Sequence, residues 1–138
     1  MTSISESARG KCFAKFGGRC AYCGNILSYR HDDNQSNIFT LDHFKPKSEG
    51  GTNRQENLFP SCLRCNNLKS SFDINVFRQY LAFKISKYQG IISCHQYMML
   101  SQMGVDFNLK KLIFYYEKYN SRKRKLNRNG FIHESSRQ

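Results

Sequence analysis

Two Cys-x-x-Cys pairs, Cys20/Cys23 and Cys62/Cys65, limit what this chain can fold into more than any other feature. A two-residue spacing lets one tight turn present both sulfurs, and four such thiolates close a tetrahedral Zn²⁺ shell. Gly24, directly after the second cysteine, supplies the positive-φ freedom that such a turn requires. In a reducing compartment these pairs are more often metal ligands than disulfides. Nothing in the sequence around either pair resembles the strand-to-helix context of a thioredoxin-like redox motif. Cys12 and Cys94 have no partner at ligand spacing and are read as plain thiols. At 138 residues the chain is one domain with a modest core, so a metal would hold the knuckle region together.

Between and after the knuckles runs LDHFKPKSEGGTNRQENLFPSCLRCNNLK. It contains, in order, Asp42-His43, Gly50-Gly51, Asn57-Leu58, Cys62-x-x-Cys65-Asn66 and Lys69. This order and spacing resemble the HNH nuclease family, in the variant where the last histidine of the name is an asparagine, here Asn66. The likeness spans about residues 11 to 72. It implies an α+β chain with a ββα-metal core: a strand ending in Asp42-His43, an Ω-like loop, a short second strand, and a helix bearing Asn66. It also implies that His43 is the general base, that Asp42 and Asn66 hold a catalytic Mg²⁺ or Mn²⁺, and that Asn57 braces the loop and orients His43. The residue types suit phosphodiester hydrolysis, which needs an activated water, a Lewis acid on the phosphate and a stabilised leaving oxygen. Oxygen donors such as Asp42 and Asn66 suit hard divalent cations. Neighbouring strand residues point to opposite faces. In the family a distortion at the Asp-His pair brings both to the site.

Charge points to the same class of partner. Lys and Arg number 22 against 10 Asp and Glu, a formal net charge of +12. Such an imbalance favours a polyanion, nucleic acid before an acidic membrane surface. Lys45, Lys47, Arg64, Lys69 and the run Arg122, Lys123, Arg124, Lys125 are candidate phosphate contacts. No stretch is apolar enough for a membrane span and residues 1 to 10 lack the apolar centre of a signal peptide, so the expected location is cytoplasmic. DNA ranks ahead of RNA as substrate. A protein partner for targeting, as in phage-defence or restriction-type effectors, is a further expectation from the resemblance. The alternative is a non-catalytic zinc-knuckle module that only binds nucleic acid. It shares the cysteines and the charge but has no use for Asp42-His43, Asn57 and Asn66 together. His31, His95 and His133 stand outside the pattern and are assigned to the surface.

Beyond residue 72 the sequence reads as a mainly helical extension over 73–119. Asp73 is a fitting N-cap, and Ile74, Phe77, Leu81, Ile85 and Tyr88 mark one apolar helical face. Tyr97 to Met103 predicts another helix, stopped by Gly104. Residues 112–117 (LIFYYE) are ambiguous, and their aromatic and β-branched content predicts a strand. Residues 120–138 predict a basic, flexible tail.

Overall fold

The computed structural model describes residues 3–30 and 35–128. The architecture is α+β: five helices and a two-stranded antiparallel sheet among the described residues. Helix α1 (Glu6–Ala14) is capped by the Ser5 side chain, which accepts from the Ala8 amide. Strand β1 (Phe39–His43) pairs with β2 (Leu58–Cys62) in unbroken register, from Phe39 opposite Cys62 to His43 opposite Leu58. Helix α2 (Leu63–Lys69) follows β2 with no loop between them. Thus β1, a turn-rich loop, β2 and α2 form the ββα unit expected from the sequence.

The core is built on aromatic rings rather than on a sheet face. Tyr22, Leu27, Phe16, Phe39, Leu58, Phe77 and Phe114 are buried together with Cys12, Cys20, Cys62 and Cys65. Tyr22 meets Phe77 and Phe114 edge-on, with ring centroids 5.5 and 5.4 Å apart. Such pairs contribute about 0.5–1.5 kcal/mol each beyond their buried area. Lys15, just past α1, donates to the carbonyls of Gln55 and Leu58, which ties α1 to the start of β2. Burial pushes the Cys12 thiol up to about 12, consistent with an inert core residue.

Helix α3 (Ile74–Lys84) starts where Asp73 accepts from the Val76 amide, and Phe77 buries its core face. The apolar face does not extend as far as its spacing predicts: Ile85 ends the helix and is 68% exposed. Helix α4 (Cys94–Gln102) starts three residues before the predicted Tyr97, because Ser93 and Gln96 form a reciprocal capping box. It docks on α3 through the stacked rings of Phe83 and Tyr97.

The strand predicted over 112–117 is not formed. Phe114 is buried against Tyr22 and Phe77, and α5 begins at the next residue, spanning Tyr115–Arg128. Local β-propensity loses here to tertiary contact. The amides of Tyr115 and Tyr116 donate to the carbonyls of Tyr22 and Ala21, so the start of α5 is sewn to the first knuckle. Residues 120–128, predicted as flexible tail, continue this helix, as the strong helix propensity of Lys, Arg and Leu allows. The rest of that predicted tail, 129–138, lies outside the described residues. No helix among the described residues is long and apolar enough to cross a membrane.

Candidate active site

The zinc knuckle comes from two turns on either side of β1. In the first, the Gly24 amide donates to the Cys20 carbonyl at φ +81°. A Cβ on Gly24 would also sit 3.0 Å from the Tyr115 ring, so conformation and space both require glycine. In the second, Cys62 ends β2 and its sulfur accepts the Cys65 amide at 3.4 Å, capping α2. The sulfurs of Cys20, Cys23, Cys62 and Cys65 all lie within 4.8 Å of one another, and none is in a disulfide. Cys23 and Cys62 are 3.9 Å apart, close to the edge of about 3.8 Å that a tetrahedron with Zn–S bonds near 2.3 Å requires. The donor set and its spacing therefore fit Zn²⁺.

The knuckle sets the place of the second cluster. Because Cys62 caps α2 at the end of β2, Asn66 comes to lie over β1. Its Nδ2 donates to Thr40 Oγ1 at 2.9 Å and to the Leu41 carbonyl at 3.5 Å. These bonds orient the carboxamide and leave Oδ1 without a protein partner among the described residues. Asp42, His43 and Asn66 line one open cleft of roughly 270 Å³, together with Pro46, Lys47, Ser48, Ser70 and Ser71. Asp42 is 4% exposed and forms its floor, while half-buried His43 forms part of its wall. The strand distortion implied by the resemblance does not interrupt the β1–β2 ladder. The strand simply ends at His43, and the chain turns away.

Asp42 is held from two sides. The Tyr22 hydroxyl donates to Oδ2, and the Lys69 ammonium lies 3.2 Å from Oδ2 and 3.4 Å from Oδ1. Lys69 also donates to the His43 carbonyl at 3.1 Å. Burial raises the Asp42 carboxyl above its ordinary range, against the downward pull of the Tyr22 bond and the Lys69 charge. Burial and the neighbouring Asp42 hold the Tyr22 phenol well above its own range, so it remains a donor. A carboxylate has about four lone-pair sites. Asp42 thus keeps acceptor capacity on the cleft side, and with Asn66 Oδ1 it offers hard oxygens that fit Mg²⁺ or Mn²⁺.

The loop between the strands holds the histidine. Asn57 Oδ1 accepts the Lys45 amide at 2.8 Å, while its Nδ2 donates to the carbonyls of Lys45 and Thr52. At Gly51 a Cβ would fall 1.7 Å from the Lys45 carbonyl oxygen, so the loop closes only over glycine. Closure brings Asn53 Oδ1 to 2.7 Å from His43 Nε2.

The family model described as HNH endonuclease matches residues 20–72, the segment that holds both knuckles and the whole ββα unit. Residues 20–72 are thus similar to HNH endonucleases. The CRISPR-associated endonuclease Cas9 of Corynebacterium diphtheriae is 35% identical over 54 residues, which cover 38% of this chain and 4% of that protein. The crystal structure of the type II-C Cas9 enzyme from Actinomyces naeslundii aligns with a TM-score of 0.45 at 32% identity, over 56% of this chain and 8% of that one. This chain therefore spans only a small part of the length of the relatives it matches.

Within this segment, the structure gathers Asp42, His43 and Asn66 on one cleft, and Asn57 bonds the backbone of the adjoining loop. The side chain that touches the His43 ring is Asn53, which sequence reasoning missed. Its only signal was an asparagine directly after the Gly-Gly-Thr turn. Tyr22, one of the two unassigned residues inside the first Cys-x-x-Cys, reaches the Asp42 carboxylate with its hydroxyl. Lys69 is a correction: it is 0% exposed and paired with Asp42, so it cannot be a phosphate contact. One helical turn beyond Asn66, it faces the β-ribbon instead of solvent. Lys45, Lys47, Arg64, Arg122, Lys123, Arg124 and Lys125 are all exposed, but only Lys47 lines the cleft. His95 is exposed on α4, while His31 and His133 lie outside the described residues.

Proposed function

We propose that this chain is a divalent-metal-dependent endonuclease that hydrolyses phosphodiester bonds in nucleic acid, DNA ahead of RNA. The observation that carries this reading is the convergence of His43, Asp42 and Asn66 on one open cleft beside a four-sulfur knuckle. His43 accepts the proton of the attacking water. With the Asn53 carboxamide oxygen engaging Nε2, that nitrogen carries the ring proton and Nδ1 keeps the lone pair for the base step. An Asp42 oxygen and Asn66 Oδ1 would hold Mg²⁺ or Mn²⁺. When bound, the cation supplies Lewis acidity to the phosphate and stabilises the leaving 3′ oxygen. Lys47, exposed on the cleft wall, contributes positive charge for the scissile strand. Zn²⁺ at the knuckle acts as a structural ion, since all four of its ligands come from protein. Targeting is supplied by a partner subunit, in a phage-defence or restriction setting.

The test is incubation of the purified protein with plasmid DNA and with RNA, in Mg²⁺ or Mn²⁺ and then in EDTA, with the cut ends sequenced. Metal-dependent cleavage that stops in EDTA is the expected result. Binding without cleavage under every metal condition would instead favour a passive zinc-knuckle binder.

A further inference from the structure

Tyr22 lies between two zinc-ligating cysteines, yet its hydroxyl reaches out of the knuckle to the Asp42 carboxylate. It arrives there on a fixed ring. Phe77 and Phe114 meet that ring edge-on, and the Tyr22 amide donates to Cys20 Sγ at 3.4 Å. On the other side of the carboxylate, Lys69 comes from α2, whose first turn is capped by Cys62. The two side chains that grip Asp42 therefore come from segments held by opposite halves of the knuckle. Asn66, the other oxygen donor, rides on that same short helix. From this geometry we propose that Tyr22 is a positioning residue for the cation site, a strut through which the zinc knuckle sets the carboxylate of Asp42. The proposal rests on the nuclease reading above, because it assigns Asp42 to the cation.

The hydroxyl matters here because Lys69, which spans both oxygens, ties the carboxylate to α2 alone. The Tyr22 hydroxyl on Oδ2 adds an anchor from the first knuckle, so the carboxylate is fixed relative to both halves of the four-cysteine cluster.

The experiment is calorimetric titration of Mn²⁺ into zinc-loaded wild type, Tyr22→Phe and Phe83→Leu, with zinc content and thermal melting measured on each. Tyr22→Phe keeps the ring and removes only the hydroxyl. It should weaken Mn²⁺ binding about tenfold, the scale of one hydrogen bond to a charged group. Its zinc content should be unchanged, and saturating Mn²⁺ should restore its cleavage rate. Phe83→Leu trims a buried ring at the α3–α4 contact that touches neither Tyr22 nor Asp42. It should lower the melting temperature and leave Mn²⁺ affinity alone. Equal or tighter Mn²⁺ binding by Tyr22→Phe overturns the strut, and so does lost zinc with unchanged Mn²⁺ affinity in the folded fraction, which would make Tyr22 a fold residue only. A wild type that binds no Mn²⁺ overturns the nuclease reading itself, so the two failures are distinguishable.

Discussion

Lys69 and Asp42 each give up hydration to sit side by side, and each is the other's only salt-bridge partner among the described residues. Removing one member of such a pair leaves the other buried and uncompensated, at a cost of about 3–5 kcal/mol. Lys69→Met should therefore lose that much stability in denaturant titration. The same change at exposed Lys45 should stay within about 0.5 kcal/mol. A Lys69→Met protein as stable as wild type would show that the pair does not support the fold. Lys69 also marks a limit of sequence reading at this scale. That Asp42, His43 and Asn66 come together on one cleft was legible because that reading depends on residue type and short spacing. The role of Lys69 depends on a partner 27 positions away, and from its helix position alone an exposed lysine and a buried one look the same. Asn53 was missed for a related reason: which loop side chain folds back onto His43 is decided by how the Gly50-Gly51 turn closes.

At the scale of elements, Cys62 has three duties: it ends β2, caps α2 and supplies a sulfur to the knuckle. Cys62→Ser should thus remove zinc and lower the melting temperature together, since a structural site's binding energy is folding energy. Zinc analysis and calorimetric melting check this, and full zinc with an unchanged melt would contradict the knuckle assignment. Sequence periodicity was sound where caps and knuckles fix an element from within, as with Asp73 and Cys62. It failed over residues 112–117. There the composition favours a strand, but the segment pairs with neither β1 nor β2. What decides the outcome is Phe114 entering the aromatic core and the Tyr115 and Tyr116 amides finding the carbonyls of the first knuckle.

Across the whole molecule, the +12 charge is partly concentrated on the outer half of α5, where Arg122, Lys123, Arg124 and Lys125 are all exposed. Because they sit on a helix anchored by its first turns, these charges are presented at fixed spacing. Each phosphate they neutralise on duplex DNA adds roughly −0.9 to the slope of log K against log salt. Changing all four to Gln should flatten that slope by up to about 3–4 units while leaving single-turnover cleavage at saturating protein nearly unchanged. Fluorescence anisotropy over a salt series measures the first quantity and gel-resolved cleavage the second. An unchanged slope would mean that this half of α5 is only a solvated face. The net charge and the ββα core were both readable in advance. The length and reach of α5 were not, because they depend on packing by Phe114, Tyr116 and Tyr119 against residues far away in sequence.

The central claim is that His43 removes a proton from the attacking water in a cleft built by the knuckle. It is tested most directly by the single-turnover cleavage rate of His43→Ala in saturating Mn²⁺, with nucleic-acid affinity measured alongside. The expected result is unchanged affinity and a rate at least ~100-fold lower, the usual scale for loss of a general base. Equal rates for the variant and the wild type would contradict the assignment.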